Sequence, residues 1–255
     1  MEIALQLAVA LVCAALYGAR VRHLRRRGRP PGLRRAVSFA LGICVVVAAA
    51  AAPLESRFST HMVQHLLIGD LGPLLVVLGL NGPLLRPLLA VRFVRALRPL
   101  AHPLVALPLW ATLLVLWHLT PLYDAALEHE SVHALQHVAF FVAGMLLWAA
   151  LLEPLPGPAW FTAAWKLPYV LAMWLVSLTL SQVFLWSSHR YYSGYTLADQ
   201  RAGGGVMLIE GSLVMLGVVV WLLLRVFRES EARQRLVEAG VPPDAAARAA
   251  RYGRA

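Results

Sequence analysis

Long apolar runs separated by short basic segments set the pattern of this chain. A hydrocarbon core about 30 Å thick requires roughly 17–25 apolar residues per crossing helix. Seven segments meet that length, at about 3–19, 36–52, 60–80, 101–119, 133–152, 167–187 and 205–224. The expected fold class is therefore all-α, a polytopic transmembrane helical bundle of seven spans. The third segment carries Gly69, Asp70, Gly72 and Pro73 and is expected to bend there. Residues 1–228 read as one seven-helix transmembrane domain. Residues 229–255 read as a charged, alanine-rich tail, a short helix broken near Pro242 and Pro243 and followed by a second helix or disorder.

Composition agrees with lipid burial. The 255 residues are 60% hydrophobic and 14% charged, against about 45–50% and 25% in a soluble domain. The net charge of +10 would suit nucleic acid if taken alone, but the arginines sit in short segments between apolar runs. Alternate segments hold 20 of the 23 basic residues: eight in 20–35, four in 81–100, Lys166 in 153–166 and seven from Arg225 onward. Arg57, Arg190 and Arg201 lie on the other side. Such asymmetry determines topology. It sets nucleic acid aside, with the N-terminus expected outside and the tail in the cytoplasm. The first apolar run has no basic segment before it and no cleavage site after it, so it reads as a retained helix. Cys13 and Cys44 lie inside apolar runs and form no disulfide framework. They read as small buried hydrophobes, or as thiolates at similar depth able to pass Cu(I).

Histidine played no part in that topology, and its distribution adds chemistry to it. Seven of the nine histidines fall outside or at the outer rim, leaving His23 and His102 on the cytoplasmic side. His61 and His65 open the third span, His118 closes the fourth, and His133 and His137 open the fifth. Both pairs have the form H-x-x-Q-H. Spacing of i, i+4 puts two imidazoles on one helix face, one turn apart, and the two helices run inward from the same surface. Imidazole suits copper, zinc and iron, and ionisable groups within spans mark functional sites. The alternative is a solvated polar rim. His129 and His189 read as loop residues. Neither pair is H-E-x-x-H, so a zinc-protease base is absent.

Other polar groups extend the candidate list. Asp70 and Glu210 lie inside spans and read either as an inward proton or metal relay or as a hydrogen bond between helices. Met62 and Met207 near the rim offer thioethers suited to Cu(I), or ordinary packing. Asp124, Glu128, Glu130 and Asp199 lie near the level of the histidines. Ser177, Thr179, Ser181 and Gln182 read as glue between helices. The aromatic, glycine-rich segment 187–205, ending in Gly203-Gly204-Gly205, is expected to cover the histidines or to meet a partner.

These residues, taken in order, resemble the multi-spanning CtaG family of cytochrome c oxidase assembly factors. The resembling pieces are His61-Met62-x-x-His65, Gly72-Pro73-Leu74-Leu75-x-x-Leu78-Gly79, and Leu116-Trp117-His118 with Pro121 and Tyr123. They continue with His133-x-x-x-His137, Phe140, Gly144 and Trp148, and end at Ala198-Asp199-Gln200. They cover roughly 58–212. Where the family usually shows Ala-Pro-Pro, this chain has Leu71-Gly72-Pro73. The resemblance implies a non-catalytic protein of the bacterial plasma membrane that helps copper, as Cu(I), reach the CuB centre of a haem–copper oxidase. Implied partners are the oxidase catalytic subunit and an extracytoplasmic copper carrier. Implied ligands are His61, His65, His118, His133 and His137, with Asp199 beside them; Met62, Asp70, Glu210 and Met207, on their own chemistry, join Asp199 as a secondary metal or relay set. A copper importer, a haem-binding membrane electron carrier and a purely structural oxidase chaperone remain the competing readings.

Overall fold

The computed structural model describes residues 2–252, all helix and connecting turns, with no strand among them. Helix α1 (Glu2–Arg26) leads by a turn into α2 (Leu33–Ala51). The third span consists of α3 (Phe58–Leu66), a π-turn (Leu67–Leu71) and α4 (Gly72–Leu78). Two short helices follow, α5 (Gly82–Ala90) and α6 (Arg92–Leu97), then α7 (Pro103–Trp117) and α8 (Thr120–Glu128). The long helices α9 (Glu130–Leu152), α10 (Ala163–Trp186) and α11 (Leu197–Glu238) precede the terminal α12 (Pro243–Tyr252).

Among the described residues, six helical segments are long and apolar enough to cross a membrane. A seventh crossing forms if the bent pair Arg92–Ala101 and Pro103–Trp117, meeting at 82°, counts as one. Helix α7 alone has 15 residues and rises only about 22 Å, short of the hydrocarbon thickness. Two other spans outrun their expected limits. Helix α1 continues through Arg26, because arginine is a good helix former and carries its charge to the interface on a long apolar stem. Helix α11 starts at Leu197 rather than near 205, since the Thr196 hydroxyl accepts the Asp199 amide at 3.2 Å and caps the helix. The glycine triplet is therefore helical. A side chain on Gly203 would strike the Phe58 ring, and one on Gly204 would meet the backbone of α10 at Leu185 and Ser181. Gly203 and Gly204 thus let α11 close against α3 and α10.

The expected bend in the third span is a local widening. Pro73 has no amide to return to Gly69 four residues earlier, and the helix relieves this with the π-turn, in which the Gly72 amide reaches Leu67 O. Gly69 on that turn receives Gly144 of α9, where any side chain would collide with the Gly69 carbonyl. Helices α3–α4 and α9 form the centre of the bundle, each half buried, whereas α1 is 6% buried. Helices α2, α7, α10 and α11 surround that centre. Large apolar side chains such as Leu11, Leu16, Leu213 and Trp186 face outward, as a lipid-facing surface requires. Cys13 and Cys44 are exposed on that outward side, so they neither fill the core nor line an internal path.

The two ends of the bundle differ. At one end, Arg20 donates to Pro83 O and Arg35 to Leu78 O and Leu80 O. Glu153, in the left-handed conformation (φ 53°) that stops α9, is the hub of this basic end. Its carboxylate meets Lys166 Nζ at 3.0 Å and Arg251 of α12. Arg251 also donates to the carbonyls of Ala159, Pro158 and Phe161, so the tail helix docks on the bundle. The other end carries the histidines.

Candidate metal centre

Helices α3 and α9 both begin at the histidine end, and the Gly69–Gly144 contact draws them together beneath it. His61 and His65 are consecutive turns of α3, with ring centroids 4.2 Å apart. His133 and His137 repeat this on α9, also at 4.2 Å. Across the interface His61 faces His133 at 5.2 Å and His65 faces His137 at 5.6 Å. Each of the four histidines offers a ring nitrogen within 4.8 Å of the others, and all four residues are buried. His118, at the C-terminal end of α7, stands beside His65 with a centroid separation of 6.2 Å and lies outside that four-nitrogen group.

The distances suit one ion. Two imidazole nitrogens each about 2.0 Å from an ion at a tetrahedral angle lie about 3.3 Å apart, and His61 Nε2 is 3.2 Å from His133 Nε2. The same closeness, with rings packed edge to face, leaves no slot for a porphyrin between the two pairs. Both ring nitrogens of His65 are buried without a hydrogen-bond partner, as is His118 Nε2. An orphaned buried polar atom costs about 1–3 kcal/mol, a cost that a coordinated cation removes. Glu55 places a carboxylate oxygen 3.9 Å from His133 Nδ1.

A tyrosine chain orients His61. Tyr195 donates to the Glu55 carbonyl at 2.9 Å. Tyr123 hydrogen-bonds to Tyr195 and lies 2.8 Å from His61 Nδ1. Burial pushes the Tyr123 phenol above its ordinary range, so it remains a protonated donor. With Tyr123 donating to Tyr195, His61 Nδ1–H donates to the Tyr123 oxygen and the Nε2 lone pair turns toward His133. The tautomer follows from satisfying the network, and such partners raise ligand basicity. Tyr192 donates to His118 O at 2.6 Å. The segment 187–205 therefore covers the histidines, through Tyr192 and Tyr195.

The glutamines of both H-x-x-Q-H pairs serve as struts, a role the sequence pattern left unexplained. Gln64 donates to Ala49 O at 3.0 Å in the last turn of α2, and Gln136 donates to Trp117 O at 3.4 Å in the last turn of α7. Carbonyls of a last helical turn lack partners within their own helix, so each histidine pair is tied to a neighbouring helix end.

The secondary candidates separate. Asp199 lies apart from the cluster: its carboxylate accepts the Phe58 amide at 2.6 Å, the Ser59 amide at 3.2 Å and the Ser59 hydroxyl at 2.6 Å. A carboxylate at a helix N-terminus satisfies orphan amides and the dipole, so Asp199 of α11 caps α3. Asp70 sits below the histidines, accepts Trp148 Nε1 at 2.7 Å, and meets the Glu210 carboxyl. Met62 and Met207 are buried among aromatic side chains near His65. His129 precedes α9, and His189 is exposed against Tyr191.

A membrane-spanning helical bundle with a buried four-imidazole cluster at one end is the class that fold and site define. The chain belongs to the family of cytochrome c oxidase caa3 assembly factors (Caa3_CtaG), whose family model matches residues 15–229. That match takes in α2 and part of α1, beyond the stretch that the sequence motifs covered. No curated protein and no solved structure matches the chain.

Proposed function

We propose that this assembly factor carries copper, as Cu(I), on His61, His65, His133 and His137 and passes it to the catalytic subunit of a haem–copper oxidase for its CuB centre. The observation that carries the reading is the buried group of four imidazole nitrogens within 4.8 Å of one another. Four neutral imidazoles suit copper, and thiolates, which would hold it more tightly, are absent from the group. Copper is cargo here, and the protein needs no catalytic turnover. The acceptor subunit takes the ion by exchanging one ligand at a time. The cluster lies at the end opposite the arginine-rich segments; in a bacterial plasma membrane, the arginine asymmetry would turn it outward, toward an extracytoplasmic copper carrier. The test is Cu(I) titration of the purified protein beside an assay of oxidase assembly. Wild type should bind Cu(I), and His65→Ala with His137→Ala should lose the cluster's Cu(I) and the copper of the oxidase. A double variant that still supports a copper-loaded oxidase would overturn the reading.

A further inference from the structure

Beneath the four-imidazole cluster lies a separate cavity of about 50 Å³. Its wall includes Met62, His65, Asp70, His118 and Met207. His118 Nδ1 donates to Leu114 O at 2.7 Å. A neutral ring with its proton on Nδ1 keeps its lone pair on Nε2, and that nitrogen is buried without a partner. His65, which has no hydrogen-bond partner at either ring nitrogen, lines the same space. His65 is 6% exposed and His118 7%. Met62 and Met207, still more deeply buried, line the same cavity.

We propose that this cavity is a second Cu(I) station, with His118, Met62 and Met207 as its own ligands and His65 shared with the cluster above. The proposal rests on the reading that the cluster carries copper. Two imidazoles and two thioethers form a soft, neutral donor set that selects Cu(I) over divalent ions. A cation inside a membrane also needs a counter-charge, and Asp70 supplies a carboxyl at this cavity. Trp148 and Glu210 hold that carboxyl in place. Each station then has its own acid, Glu55 above and Asp70 below. Water could satisfy the imidazole nitrogens, but it gains nothing from the two sulfurs. The neutral His65 ring has one lone pair and serves one station at a time. With both stations filled, each ion keeps three ligands of its own; with one filled, His65 hands the ion across by single-ligand exchange, without release to bulk solvent.

The test is Cu(I) titration of the full-length protein in detergent against a colorimetric Cu(I) chelator, together with X-ray absorption at the copper edge. Wild type should bind two equivalents and show sulfur in the coordination shell. Met62→Leu with Met207→Leu conserves volume; it should retain one equivalent, lose the sulfur signal and keep the wild-type unfolding temperature. His61→Ala with His133→Ala should lose the other equivalent and keep the sulfur. One equivalent with a nitrogen-only shell in wild type overturns the second station and leaves the cluster reading standing. A single sulfur-ligated equivalent, unaffected by His61→Ala with His133→Ala, overturns the cluster reading instead. No bound copper overturns both.

Discussion

Gly144 of α9 rests on the backbone carbonyl of Gly69, with no room for a side chain between them. The contact lies one turn below His65 and two turns below His137, so it sets the separation of the two histidine pairs. Gly144→Ala must push α9 away from the π-turn. Overpacking of this kind costs about 1–3 kcal/mol, occasionally more. Expected outcomes are a lower unfolding temperature in detergent and weaker Cu(I) binding, although no proposed ligand is touched. Wild-type affinity in the alanine variant would show that the helices can separate without disturbing the cluster.

Tyr123→Phe removes the hydroxyl that orients His61 and leaves the ring in place. Loss of a partner behind a metal ligand typically costs 10–100-fold in affinity. The variant should bind Cu(I) about tenfold or more weakly while its helix content stays unchanged, as measured by competition titration and circular dichroism. Equal affinity would mean that the Tyr195–Tyr123–His61 chain has no part in presenting Nε2.

Gln64→Leu removes one of two donors to Ala49 O, which also accepts the Ala52 amide at 3.3 Å, and Gln136→Leu removes the side-chain donor to Trp117 O. Each should destabilise the protein by about 1 kcal/mol, the net worth of one hydrogen bond, read as a drop in the thermal midpoint. The two losses should add, because the struts tie different helices to different histidine pairs.

Asp199→Ala separates capping from ligation. It removes the acceptor for the first amides of α3 and should cost about 1–2 kcal/mol in thermal unfolding, while the copper stoichiometry of the folded protein stays at the wild-type value. A lost equivalent would place Asp199 among the ligands after all.

Glu153→Gln tests the basic end. Lys166 is fully buried and Glu153 is 4% exposed, and removing one partner of a buried ion pair costs about 3–5 kcal/mol. Arg251 loses the carboxylate that helps to seat α12. Limited proteolysis should cut between Glu238 and Pro243 sooner than in the wild type, and an unchanged cleavage rate would count against the docking role.

Much of this protein could be read along the chain. Lipid imposes a long-range, low-resolution demand, enough apolar length with every backbone group satisfied within a helix, and such a demand is written in local sequence. The spans followed from it, and so did the i, i+4 histidine pairs, since helical periodicity alone aligns His61 with His65 and His133 with His137. Their convergence was foreshadowed because both pairs open helices that start at the same end.

Other features depended on contacts between residues far apart in sequence. Asp199 looked like a carboxylate at histidine level, but the position of α11 against α3 made it a cap 140 residues away from the amides it serves. Met62, Met207 and His118 lie on three separate stretches of the chain, and only the meeting of three helices brings them to one cavity. Glu153 carried no pattern at all, yet it holds Lys166 and Arg251 from two other helices. Which helix face turns to lipid and which to a neighbour depends on how small residues such as Gly69, Gly144, Gly203 and Gly204 let backbones approach. That choice is a matter of pairwise fit between surfaces, and hydropathy along a single helix does not encode it.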